Sequence, residues 1–138
     1  MWSYRNNMEA SAMRRTWKEW LLLAIALITI LSAFLQIVGT ESALNFMGVS
    51  ISAESIYLFR LVSLLTGLFG GALLHTLLSD APEPVVLLWV GLQKVLSSLA
   101  VLLAVLNQLL TGTTLLVAGY DFLAGLFVLW YRLMISRR

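Results

Sequence analysis

The chain has 138 residues, 60% of them hydrophobic and only 12% charged, whereas a soluble domain carries about 25% charged residues. With a mean hydropathy of +0.91, it is too short to hide this much apolar surface in a core of its own, so the excess must face lipid or a partner. The net charge of +2 does not point to nucleic acid, because the cations gather at the ends of apolar segments, where they act as membrane anchors; the absence of cysteine excludes disulfides, thiolate chemistry, Cys-ligated zinc and iron–sulfur clusters.

Residues 1–19 are polar and mixed in charge, with Arg5, Arg14, Arg15 and Lys18 set against Glu9 and Glu19. Met13, Trp17 and Trp20 recur at helical spacing, so this segment reads either as a short interfacial helix or as a tail ending in an aromatic belt. The first span is predicted at about 20–38, near the ~20 apolar residues that crossing requires. It is too long for a signal-peptide core, and no small-residue cleavage site follows it.

The longest connection covers 39–54. Thr40 is expected to cap a short helix ending at Met47, with Gly48 as its stop and Leu44, Phe46 and Met47 resting on the membrane surface. Ser52 reads as the N-cap of a second span at about 55–78, with Glu54 in its first turn. Pro82 and Pro84 end that helix and open the third, at about 84–106. A polar turn at 107–114 leads to the fourth, at about 113–135, and a basic tail closes the chain at 136–138.

Short connections force antiparallel neighbours. The predicted fold class is an all-α integral membrane protein, its four transmembrane helices in an up-down bundle. The amino-terminal flank holds four cations and the carboxy-terminal flank three (Arg132, Arg137, Arg138), whereas 39–54 holds none. The positive-inside rule then places both termini in the cytoplasm, the 79–84 turn with them, and 39–54 outside.

Three ionisable residues interrupt the spans. Arg60 lies roughly 9 Å, Asp121 about 13 Å and Lys94 about 20 Å from the outer ends of their helices. Intramembrane charges face a bundle interior, a cavity or each other. In one reading Asp121 pairs with Lys94 or Arg60 and locks the helices together. In another, two cations and one carboxylate leave a surplus positive charge for an anionic group, such as a lipid headgroup, a carboxylate or a quinone oxygen. A proton or ion relay is the third, and Arg60 is shallow enough to snorkel to the interface.

Small residues share these faces: Ser63, Gly67 and Gly71, with Gly70 beside them, in the second span; Gly91, Lys94 and Ser98 in the third; Thr114, Ala118, Asp121 and Gly125 in the fourth. Such stripes bring helices close together. His75 is the only histidine; it suits one axial ligand of a haem or chlorophyll, or simply a polar helix end, and Gln93, Asn107 and Gln108 are weaker alternatives of the same kind. Trp2, Trp17, Trp20, Trp89 and Trp130 read as belt residues. With no nucleophile triad at a readable spacing, no phosphate loop and no HExxH, enzymatic chemistry by this chain alone is not expected, and no catalytic or metal-binding residue is assigned.

The glycine-rich run behind an arginine (RLVSLLTGLFGG, 60–71), the Pro-containing turn DAPEP, the lysine of the third helix and the aspartate of the fourth (YDFLAGLF, 120–127) resemble the DoxX-like group of small four-helix bacterial membrane proteins over about residues 20–135. The resemblance implies a bacterial inner membrane. Some members are subunits of quinone-linked oxidoreductases, so it also implies a subunit role, while no catalytic residue carries over. The functional expectation is a non-enzymatic accessory or assembly subunit of a larger, energy-transducing membrane complex. The alternatives are a quinone- or lipid-binding subunit of an oxidoreductase and a small oligomeric transporter. Expected partners are membrane lipids and other transmembrane subunits or further copies of the chain, with lipid, quinone or pigment as the candidate bound molecule.

Overall fold

A computed structural model describes residues 16–136, and all five elements among them are α-helices: α1 (Trp17–Val38), α2 (Thr40–Met47), α3 (Ala53–Leu78), α4 (Pro84–Leu106) and α5 (Thr114–Ile135). Four of them, α1, α3, α4 and α5, are long and apolar enough to cross a membrane, and only 28–33% of each apolar window is buried inside the chain. The rest needs lipid or a partner. Trp2, Met13, Arg5, Arg14, Arg15, Glu9, Arg137 and Arg138 lie outside the described residues.

Capping chemistry moves two of the predicted starts. Glu19 accepts a hydrogen bond from the Thr16 N–H at 3.2 Å, so α1 begins at Trp17 rather than at 20. Trp17 and Trp20 therefore belong to its first turn and not to a separate interfacial helix. The Ser52 hydroxyl accepts from the Ser55 N–H at 3.1 Å and the Ser55 hydroxyl from the Ser52 N–H at 2.8 Å, so α3 starts at Ala53 rather than 55, with Glu54 in its first turn. Pro84 opens α4 as expected; α5 starts one residue later than predicted.

The helices pack as two antiparallel pairs. In the first, Ser63 donates to Gln36 Oε1 at 3.1 Å, and a Cβ built on Gly67 would stand 3.3 Å from the Ala33 Cβ. One built on Gly70 would stand 3.0–3.2 Å from Ile30 and Thr29. The seam therefore runs Ser63–Gly67–Gly70. Gly71, expected in it, meets nothing within 4 Å. At about 100° per residue, a step of four drifts by roughly 40°, and two such steps carry Gly71 some 80° off the line, whereas a step of seven returns to it.

In the second pair, Gly91 of α4 faces Gly125 of α5. The two pairs meet chiefly at the end that carries the 79–83 turn, where Leu22, Ala26, Leu73, Leu87, Val90 and Val128 form the centre of the core. Polar contacts tie this end further: the Glu83 N–H to Thr76 Oγ1 at 2.6 Å, Lys18 Nζ to the Met134 sulfur at 3.1 Å, Tyr131 to Glu19 at 3.4 Å and Arg132 Nε to the Pro84 carbonyl at 3.2 Å.

At the opposite end the pairs diverge beneath α2. Gly48, at φ 74, stops this helix in the left-handed conformation. The expected capping role of Thr40 is overturned. It is the first residue of α2, fully buried, and its hydroxyl turns back to the carbonyls of Gln36 and Ile37, 2.9 Å from each. Leu44 is buried in the protein rather than resting on a membrane surface.

Candidate functional site

The site grows from the two glycines that face one another. A Cβ on Gly125 would stand 3.0 Å from the Gly91 carbonyl oxygen, 3.0 Å from the Lys94 Cβ and 2.9 Å from Val95; one on Gly91 would stand 2.6 Å from Leu129. Only hydrogen fits at either position, so α4 and α5 touch almost backbone to backbone. One turn further from the 79–83 end, on the same faces, come Lys94 and Asp121. Lys94 Nζ donates to Asp121 Oδ1 at 2.6 Å, with Lys94 2% exposed and Asp121 27% exposed. The ammonium also stands 5.9 Å from the centre of the Tyr120 ring, whose negative face attracts it. Burial of a lysine to this degree requires such a partner.

Arg60 takes no part in the pair. It is exposed, and its Nε donates to Thr40 Oγ1 at 3.1 Å. The charges therefore sort into a neutral Lys94–Asp121 pair and a separate arginine. Among the described residues, the surplus cation expected beside Asp121 is not there, because Arg60 bonds Thr40 instead.

Beside the carboxylate, where the helix pairs diverge, lies a cavity of about 200 Å³. Its walls are Phe59, Val62 and Thr66 from α3, Gln93, Ser97, Ser98 and Val101 from α4, and Thr114, Val117, Ala118 and Asp121 from α5; Gln36 closes one side, and Ala43, Phe46 and Met47 of α2 form the roof. The roof is tied down by the 107–113 loop. The Thr111 N–H donates to the Met47 carbonyl at 2.9 Å, and the hydroxyls of Thr111 and Thr113 donate to the Phe46 carbonyl at 2.8 and 3.2 Å.

Most polar groups around this cavity are satisfied within the chain: Thr66 donates to the Val62 carbonyl, Ser98 to the Val95 carbonyl, and Gln36 Oε1 accepts from Ser63. Two are not. Thr114 Oγ1, in a residue 4% exposed, and Gln93 Oε1 are buried without a hydrogen-bond partner. The Gln93 nitrogen reaches Ser97 at 3.2 Å; whichever way the amide is turned, one of its ends is left over. Orphaned buried polar atoms are uncommon in native folds, and each calls for a partner beyond the chain's own groups, whether water or a bound molecule. Among the described residues, Asp121 is the only charged one lining the cavity.

Of the residues singled out in the sequence, Lys94, Asp121, Ala118 and Gly125 come together here, with Thr114 and Gln93. Ser63 and Gly67 serve the other seam. His75 is exposed, about 13 Å along α3 from Thr66, and does not line the cavity. Gln36, Thr66, Ser97 and the α2 roof carried no expectation of a site; the readable signal was polar side chains inside apolar spans, Gln93 and Ser97 sharing a face at i, i+4. Among the described residues, no group of three His, Asp or Glu side chains is placed to hold a metal ion.

The chain matches no family model, no curated protein and no solved structure.

Proposed function

We propose that this chain is a multi-pass, non-enzymatic subunit of a membrane complex that holds a small, uncharged, membrane-dissolved molecule, of the lipid or quinone class, between its two helix pairs. The observation that carries this reading is the cavity beside Asp121, lined by Gln93 and Thr114, each of which has a buried side-chain oxygen without a partner among the described residues. A site built from apolar side chains and a few convergent polar groups is the usual form of a small-molecule pocket. Its size suits a substituted ring, since an apolar cavity of about 150 Å³ already accommodates benzene. The four long helices are taken to cross the bilayer in an up-down order, both termini in the cytoplasm of a bacterial cell, because the cations lie at the two ends of the chain.

The test is extraction of the protein purified from its own membrane and identification of small molecules that copurify stoichiometrically. Gln93→Leu combined with Thr114→Val should abolish retention of that molecule while leaving the protein folded. Retention of the same molecule by the double variant, or a preparation with nothing bound at saturating lipid and quinone, would overturn the reading.

A second reading, an accessory subunit that acts by contact alone, is favoured by Gly71 and Gly119. A Cβ at either meets nothing within 4 Å, so neither glycine serves close packing among the described residues, and a neighbouring subunit's helix would give both a use. The transporter alternative fares less well: the core around Leu22, Leu73 and Leu87 fills the end opposite the cavity, so a passage would need an oligomer or a large rearrangement.

A further inference from the structure

Arg60 combines exposure with a fixed position. Its Nε is held by Thr40, which is buried and itself anchored to the end of α1. Thr40 stands two residues past Val38, where α1 ends. The guanidinium therefore lies level with the end of a span-length helix, although the Arg60 Cα is about 10 Å into α3. This is a snorkelled arginine with its head clamped at the membrane margin.

No described residue gives the head a counter-ion. Among the described residues the only ion pair is Lys94–Asp121, even though Glu41 and Glu54 lie at the same end of the molecule. With Nε engaged by Thr40, the terminal nitrogens keep their N–H donors, in the planar fork that matches phosphate. Tyr57, one turn nearer the helix start, and Leu61 and Leu64, on the inner side, are all exposed. An ordered guanidinium, a phenol beside it and an apolar strip below form the outline of a phospholipid, its phosphate at the top and its acyl chain along the helix.

We infer that Arg60 is the binding site for the phosphate of an anionic phospholipid in the leaflet at the 39–52 end. The inference needs the helices to cross a bilayer but does not involve the cavity, so its failure leaves the Gln93 and Thr114 test untouched. The full chain would be examined in micelles by native mass spectrometry, with phosphatidylglycerol and phosphatidylcholine as probes. Wild type should hold one phosphatidylglycerol more firmly than Arg60→Gln does, by about fivefold, the effect of one cation on an anionic headgroup. Thr40→Val, which changes no charge but frees the guanidinium, should weaken the same adduct and serves alone if Arg60→Gln does not fold. Millimolar inorganic phosphate should not displace the lipid. Equal retention by wild type and Thr40→Val would overturn the proposal, as would equal retention by Arg60→Gln. Displacement by inorganic phosphate would assign the site to a soluble anion instead.

Discussion

Neutralising one member of the Lys94–Asp121 pair tests whether it is structural, and the burial values predict unequal effects. Asp121→Asn leaves an ammonium in a residue 2% exposed, with neither water nor carboxylate to solvate it. Breaking a buried pair from that side should cost the full amount usual for an uncompensated charge, about 3–5 kcal/mol. Lys94→Gln leaves a carboxylate that is 27% exposed toward the cavity; water admitted there would solvate it, so the loss should be the smaller, about 1–3 kcal/mol. The double variant should recover most of the larger loss, because no charge is then stranded. The assay is reversible unfolding in mixed micelles, read by circular dichroism over all four species of the double-mutant cycle. Equal losses in the two single variants would refute the burial argument. A double variant as unstable as the sum of the singles would show that the two side chains do not act as a pair.

Gly125→Leu should destabilise the α4–α5 contact by about 1–3 kcal/mol through overpacking, whereas Gly119→Leu, which meets open space, should be tolerated by the isolated chain; thermal unfolding in detergent compares them. Cysteines placed at Ser42 and Ser136 should react with an impermeant reagent from opposite sides of sealed vesicles, and labelling of both from one side would contradict the proposed topology. Gly48→Ala should cost about 1–2 kcal/mol from the left-handed backbone alone, and more because its Cβ would stand 2.5 Å from Thr111 Cγ2; the unfolding midpoint measures this, and a neutral result would mean that α2 and the 107–113 loop are not locked together.

The spans were legible because apolar length is a local property, read without knowing what packs where. Their starts moved where a hydroxyl or carboxylate completed a cap, as at Thr16–Glu19 and Ser52–Ser55. Depth along the helices placed Asp121 between Lys94 and Arg60 and left both open as partners; the structure joins it to Lys94, its neighbour in the short-turned α4–α5 hairpin. Azimuth was harder. A pattern of fours placed Gly71 on a seam that belongs to Gly70, because small errors in angle accumulate over two turns. The cavity was not legible at all. It exists because two helix pairs diverge under a roof that is hydrogen-bonded to a loop 65 residues away, and no local pattern encodes that separation.

The geometry of the pair also bears on the charge of anything held beside it. Gly91 and Gly125 bring the backbones so close that the lysine stem is enclosed between α4 and α5, and Lys94 does not line the cavity; only the carboxylate does. An anion entering would meet Asp121 first and gain little from an ammonium already engaged at 2.6 Å. A cation would find that carboxylate neutralised from behind, and would have to displace a lysine that has no water to retreat to. Either ion would leave one charge uncompensated in a low-dielectric site, where the penalty is several kcal/mol. A neutral molecule faces no such penalty, and rotation of the Gln93 or Thr114 side chain, whose buried oxygens have no partner among the described residues, would offer it a hydrogen bond. The same close contact that stabilises the α4–α5 hairpin thus selects against charge in the cavity next to it.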